Sequence, residues 1–243
     1  MSKLISAYAK RIQYKAKVYS RFTLDSLFPK QQQKIIDAFH KLFYDSNIIG
    51  KTWNDSYFLG TGIQKCPLDL FIYQEILFDV KPDIIIETGT KFGGSAHYLA
   101  VLCDALKKGE IITVDITPEK NMPKHKRIKY LVGSSIDSEI LKTIKGRIKK
   151  GNKVLVILDS DHSKDHVLKE LKIYNKFVTK GSYMIVEDSN VNGHPVNKEH
   201  GPGPMEAIEA FMKEEGKKQF VIDKSREKFY VTFNPNGYLK KTA

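Results

Sequence analysis

The 243-residue chain carries 40 Lys and Arg against 28 Asp and Glu, a formal charge of +12, and is 41% hydrophobic and 11% aromatic. That apolar content excludes disorder along the whole chain, and 16 Gly with 9 Pro exclude a collagen-like or low-complexity one. Cys66 and Cys103 are too few for a disulfide framework or a cysteine zinc site, no apolar run approaches the roughly 20 residues of a spanning helix, and the N-terminus lacks a signal peptide's apolar centre, so a reducing, cytoplasmic setting is expected.

Residues 1 to 47 read as a basic helical extension ahead of one domain over 48 to 243, a length that buries a substantial single core. The first 30 residues hold Lys3, Lys10, Arg11, Lys15, Lys17, Arg21 and Lys30 against Asp25, a net charge of +6. Leu4, Tyr8, Ile12, Tyr19 and Phe22 recur among these cations at helical spacing, which predicts a basic amphipathic helix. Packing on the body or on a second subunit of a homo-oligomer is the favoured expectation for it. An anionic membrane surface is the alternative, and nucleic acid comes last. Residues 28 to 45 and 67 to 79 read as further helices.

From residue 83 onward, short Ile- and Val-rich runs alternate with amphipathic stretches, the pattern of a parallel sheet covered by helices. The runs are Asp83 to Glu87, Glu110 to Asp115, Arg127 to Val132, Lys153 to Asp159 and Ser182 to Asp188. Helical patterns occupy Gly94 to Leu106, Ser138 to Lys149, Lys164 to Val178 and Met205 to Glu215. Gln219 to Asp223 and Lys228 to Phe233 then read as an antiparallel hairpin, because so short a connection suits no parallel crossover. The expected fold is α/β with helices on both faces. Five parallel strands followed by a hairpin match a class I methyltransferase sheet better than a six-stranded dinucleotide fold.

The first strand ends in Glu87-Thr88-Gly89-Thr90-Lys91-Phe92-Gly93-Gly94-Ser95, where glycines let the backbone turn tightly against a ligand. Asp115, at the tip of the second strand, is placed to accept both hydrogen bonds of a ribose diol. The spacing lacks G-x-G-x-x-G, and Glu87 within the turn suits the ammonium and sulfonium of S-adenosylmethionine better than a pyrophosphate. Candidate cofactor residues are therefore Glu87, Gly89, Thr90, Gly93, Ser95 and Asp115, with Ser134 and Ser135 on the adenine side and Asp159 at the next tip.

Asp159-Ser160-Asp161-His162 follows the fourth strand and Glu187-Asp188 the fifth, and parallel strands present both tips at one edge. Converging carboxylates repel one another unless a cation joins them, and an all-oxygen set suits Mg²⁺. Asp159, Glu187 and Asp188 are the candidate ligands; the other use for Asp159 or Asp161 is to cap the following helix. His162, with Asp159, makes up the candidate catalytic set. Ser189 to Pro204 is long for a strand-to-helix loop and reads as a substrate cover.

Several segments together resemble a known family. They are Lys65-Cys66-Pro67-Leu68-Asp69-Leu70 with Tyr73-Gln74-Glu75, Pro82 to Thr90 with Gly93-Gly94-Ser95-Ala96, Leu158 to His162, Val186-Glu187-Asp188, and Gly201-Pro202-Gly203-Pro204. Over roughly residues 50 to 239 the chain is similar to the cephalosporin hydroxylase and rhamnosyl O-methyltransferase family, close to the macrolide sugar O-methyltransferases. The resemblance implies S-adenosylmethionine at the first two strands, a divalent metal on Asp159, Glu187 and Asp188, and a histidine base at His162. The expected reaction is metal-assisted methyl transfer to a hydroxyl of a sugar or similar vicinal diol, in a glycan, glycolipid or natural product. A non-haem iron hydroxylase using His162 and His166, and a non-catalytic cofactor-binding protein, are the less favoured alternatives.

Overall fold

The computed structural model describes residues 2–27, 29–117 and 119–243, and it divides into two compact units, the first ending at Leu42 and the second Phe43–Ala243. The first is helical: α1 (Ser2–Leu27), then α2 (Pro29–Asp45), whose last residues enter the second unit. Pro29 opens α2 at a position where a missing N–H costs nothing.

The second unit begins with two 3-10 turns, Ser46–Ile49 and Thr52–Asp55, and a small hairpin of β1 (Tyr57–Phe58) and β2 (Thr61–Gly62). There follow α3 (Pro67–Val80), β3 (Ile84–Thr88), α4 (Gly94–Ala105), β4 (Glu110–Asp115), β5 (Ile128–Val132), α5 (Ser138–Arg147) and β6 (Val154–Leu158). The chain continues through α6 (Lys164–Tyr174), β7 (Tyr183–Val186), α7 (Pro204–Lys213), β8 (Phe220–Ile222) and β9 (Tyr238–Lys241). Seven strands form one sheet in the order β5-β4-β3-β6-β7-β9-β8, with β3 to β7 parallel and β9 antiparallel to both its neighbours.

Alternation along the strands sorts the core into two layers. Ile84, Ile86, Val154 and Val156 face α6 and α7 through Leu171, Ile208 and Phe211, while Ile85, Leu155 and Ile157 face α3 and α4 through Ile76 and Leu99. After β3 the chain steps outward to β4 and β5, then returns to lay β6 on the other side of β3. The crevice beyond the tips of β3 and β6 is therefore the topological switch point, where open α/β sheets bind their ligands.

The closing hairpin differs from expectation in its second strand. Lys228 to Phe233 is not a strand: 224 to 227 form a 3-10 turn, and the partner of Phe220–Ile222 is Tyr238–Lys241, inserted between β8 and β7. A buried carboxylate on α3 explains this. Asp69 accepts from Thr232 Oγ1, from the Phe233 amide at 2.8 Å and from Tyr238 Oη at 2.8 Å, so the segment is held by a side chain instead of a ladder.

Candidate active site

Gly89 brings the tips of β3 and β6 together. Its φ is +86°, and a Cβ there would lie 1.7 Å from the Asp159 carbonyl oxygen, so no side chain fits. Gly93 closes the same turn, its N–H donating to Thr90 O at 2.8 Å. Asp115 fixes the turn from the neighbouring strand. Its Oδ2 accepts from the amides of Thr90 (3.0 Å) and Lys91 (2.9 Å), and its Oδ1 from Thr117 N (2.9 Å). A cavity of about 500 Å³ opens there, with Gly89, Asp115, Ser134, Ser135 and Asp159 in its wall.

Glu87 lies behind this turn, fully buried. Ser95 Oγ donates to its Oε1 and Thr113 Oγ1 to its Oε2 at 2.7 Å, and Thr113 and Thr90 share a further hydroxyl contact at 2.7 Å. Burial pushes the Glu87 carboxyl up, against the pull of Lys65 and the two hydroxyl donors. Of the nine expected cofactor residues, Glu87, Thr90, Gly93 and Ser95 thus build the turn, while the other five line the cavity.

The acidic cluster occupies the tips of β6 and β7. His162 Nε2 lies 3.2 Å from Asp159 Oδ1 and 3.3 Å from Asp188 Oδ2. Ligand atoms of Asp159, His162 and Asp188 lie within 4.8 Å of one another. Glu187 stands beside this group but is engaged elsewhere: its Oε1 accepts from Tyr73 Oη and from Lys65 Nζ, each at 2.7 Å. Neither Asp159 nor Asp161 caps α6, whose N-cap is Ser163 with no side-chain cap: Asp161 Oδ1 accepts from Ser163 N at 2.7 Å in the turn ahead of the helix, and Asp159 is turned towards Lys65 and His162.

Lys65 is the cation that sequence reasoning passed over. It is buried at the end of the segment before α3, and its Nζ donates to Asp159 Oδ2 as well as to Glu187. Its place within the Lys65-Cys66-Pro67 segment was the only signal available. Burial pushes Glu187 up to about 8, reinforced by the Asp159 charge, and it raises Asp188 too. Asp159 is held below the usual carboxylate range because Lys65 and His162 outweigh its burial. Burial opposes a charge on His162, yet Asp188 and Asp159 prevail and lift it to about 9.

A second cavity of about 290 Å³ adjoins the first, and Gly89, Lys91, Asp159 and Ser160 belong to both walls. Tyr44, Trp53, Gln64, Lys65, Phe92 and His162 contribute to the second. Trp53 is held in place: its indole N–H donates to Tyr44 O at 3.1 Å, the two rings stack at 5.3 Å, and Phe233 meets Trp53 edge-on at 5.6 Å. His166 lies on the other side, near Ser135 Oγ (3.2 Å) and Glu170 Oε1 (3.5 Å) in the first cavity, so the two histidines do not face one centre.

The segment from Ser189 to Pro204, expected to cover the substrate, lines neither cavity. It is fastened to α7 instead. Asn192 Nδ2 and His194 Nε2 each lie 2.9 Å from Glu206 Oε1, and the Gly203 amide donates to Glu206 Oε2 at 2.7 Å. Among the described residues, no helix is long and apolar enough to cross a membrane.

The fold has known counterparts. The rhamnosyl O-methyltransferase of Mycobacterium tuberculosis is 38% identical over 220 residues, 88% of this chain and 87% of that protein. That of Mycobacterium leprae is 37% identical over 211 residues, covering 84% and 90%. Among solved structures, a CmcI structure with Mg and SAM superposes with a TM-score of 0.61 at 17% identity over 79% of each chain, a likeness of fold. The family model for rhamnosyl O-methyltransferase/CmcI matches residues 50–242, and with relatives this similar along most of its length the chain belongs to that family.

Proposed function

We propose that this S-adenosylmethionine-dependent O-methyltransferase methylates a sugar hydroxyl with the help of a divalent metal, using the first cavity for the methyl donor and the second for the acceptor. The observation that carries the reading is the common wall. Gly89, Asp159 and Ser160 border both cavities, so a sulfonium on one side and a hydroxyl on the other would meet beside Asp159 and His162. The rhamnosyl acceptor named for the mycobacterial relatives supports a sugar.

The donor set suits a hard cation. Three carboxylates crowd one edge, and burial raises two of them, the signature of negative charge without enough compensation. Asp159 and Asp188 would hold the metal, with Glu187 joining them on release from Lys65. Held there, a divalent metal would supply Lewis acidity that lowers the pKa of the acceptor hydroxyl. Tyr73 and Lys65 hold Glu187, and Asp115 pins the turn that presents Gly89. Asp159 and Asp188 hold His162 protonated while they are uncompensated; a cation on those carboxylates would remove that pull, and His162 Nε2, at the carboxylate edge of the second cavity, would then be free to take the proton that the acceptor hydroxyl gives up. Trp53 and Phe92 offer flat apolar faces to a pyranose ring, with Gln64 as a polar neighbour.

The test is transfer of labelled methyl from S-adenosylmethionine to a panel of rhamnosides, other hexosides and catechols, with Mg²⁺ and with chelator. Metal-dependent labelling of a sugar hydroxyl is expected. Labelling restricted to catechols would reject the sugar acceptor, and undiminished labelling in chelator would reject the metal.

A further inference from the structure

The amphipathic pattern at the N-terminus is a real helix, and its charge and its apolar stripe are both presented outward. Tyr8, Ile12, Tyr14 and Tyr19 on α1 are 69%, 55%, 69% and 72% exposed. Tyr8, Ile12 and Tyr19 fall within about 40° of one another at roughly 100° per residue, which makes one stripe. Lys15 shares that stripe and Arg11 flanks it, while Lys10, Lys17 and Arg21 stand on the other side. All five cations are exposed, no acid occurs from Tyr8 to Arg21, and among the described residues none of the five has an ion-pair partner.

Those facts restrict what can cover the helix. A second copy of α1 packed stripe against stripe would bring Lys15 and the flanking Arg11 of one helix towards those of the other with no acid between them, and like charges at contact distance repel. A nucleic acid would satisfy the charge but would leave Ile12 without an apolar partner. An anionic bilayer surface satisfies both: phosphate headgroups meet Arg11 and Lys15 beside the stripe, Lys10, Lys17 and Arg21 on the far side stay hydrated within the field of the surface, and tyrosine rings lie at headgroup depth.

We propose that α1 docks the protein on anionic lipid surfaces, lying in the plane of the interface through Tyr8, Ile12 and Tyr19 and drawn there by Lys10, Arg11, Lys15, Lys17 and Arg21. It takes the second of the occupants expected from the sequence, and it is independent of the reaction assigned to the second unit. The cations act from a distance, so they govern the salt dependence; the stripe inserts, so it governs residence on the surface.

The experiment sediments the full chain with vesicles of phosphatidylcholine alone and of phosphatidylcholine with phosphatidylglycerol, at low and high salt. Binding to the anionic vesicles alone is expected, weakening at least about tenfold at high salt. Lys10→Gln/Arg11→Gln/Lys15→Gln/Lys17→Gln should lose it by a similar factor, and Tyr8→Ser/Ile12→Ser should weaken it at unchanged charge. Both variants should bind S-adenosylmethionine as the parent does, which separates a lipid defect from misfolding. Equal binding to neutral vesicles, or full binding by the charge-neutralised variant, would overturn the proposal. So would a chain that ignores both vesicles but binds duplex nucleic acid, or whose oligomer dissociates when the tyrosine stripe is removed.

Discussion

Lys65 and Glu187 form a buried ion pair, Nζ to Oε1 2.7 Å, each side chain 5% exposed. Tyr73 and Asp159 complete the surroundings, so a single ammonium offsets part of the repulsion between two carboxylates whose strand tips converge. Removing one partner of such a pair leaves a buried charge uncompensated, at a cost of roughly 3–5 kcal/mol. Lys65→Met should therefore lower the unfolding free energy by about that much in metal-free buffer, measured by urea titration, and adding Glu187→Gln should recover part of it. A loss under about 1 kcal/mol would mean the pair is solvated and contributes little.

Asp115 has two duties, fastening the turn and facing the first cavity. Asp115→Ala should leave the sheet folded yet weaken S-adenosylmethionine binding about tenfold or more by calorimetry, since hydrogen bonds to a charged group contribute roughly 1.5–3 kcal/mol. An unchanged dissociation constant in a folded variant would remove Asp115 from the donor site.

The metal reading separates binding from chemistry. Excess chelator should abolish methyl transfer while S-adenosylmethionine still binds, and added Mg²⁺ should restore it. Asp188→Asn should behave like the chelated protein, at least about a hundredfold slower, if the metal activates the hydroxyl. Transfer by Asp188→Asn at the parent rate would exclude that residue from the metal site.

Gly89→Ala tests the tightest of the glycine positions. With φ at +86° and the Asp159 carbonyl 1.7 Å from the new carbon, the tips of β3 and β6 must separate. The cost should be roughly 3 kcal/mol or more, with donor binding lost in parallel. A variant of parental melting temperature would show that the tips have more freedom than this contact allows.

Glu206 links stability to acid. Burial alone would raise its carboxyl, but the Gly203 amide, His194 and Asn192 override it and bring it from 4.5 to about 2. A depressed folded pKa stabilises above the unfolded value, so this contribution is complete above about pH 4.5 and disappears as pH falls towards 2. Glu206→Gln should lose up to about 3 kcal/mol at neutral pH and show a flatter stability profile through that window. Parallel profiles for parent and variant would assign the acid sensitivity to other groups.

The strand tips were legible in the sequence because a strand buried on both faces is aliphatic until it ends, and the first polar residue marks the edge. Val154 to Leu158 followed by Asp159 is one case, and Val114 followed by Asp115 another. Lys65 was not legible, since a lysine's burial depends on carboxylates far along the chain, the nearer of its two ion-pair partners 94 residues on. Phe229, Val231 and Phe233 alternate as a strand does; what prevents a strand there is Asp69, 163 residues before Thr232. The charge and helical spacing of residues 1 to 30 were readable, but which groups would stand uncovered was not, because exposure belongs to the folded chain.

Asn234 has a consequence for the order in which the protein is completed during synthesis. Its side chain donates to Tyr73 Oη at 3.1 Å, Tyr73 holds Glu187, and Asn234 Oδ1 accepts the Asp188 amide at 3.3 Å. Every residue lining the first cavity has been synthesised by His166, whereas the support of the acidic edge waits for Asn234 and for β9 to slot beside β7. A nascent or truncated chain ending before residue 234 therefore has the covalent makings of a donor pocket without a braced acidic edge, and stalled chains of graded length should acquire donor binding before metal binding.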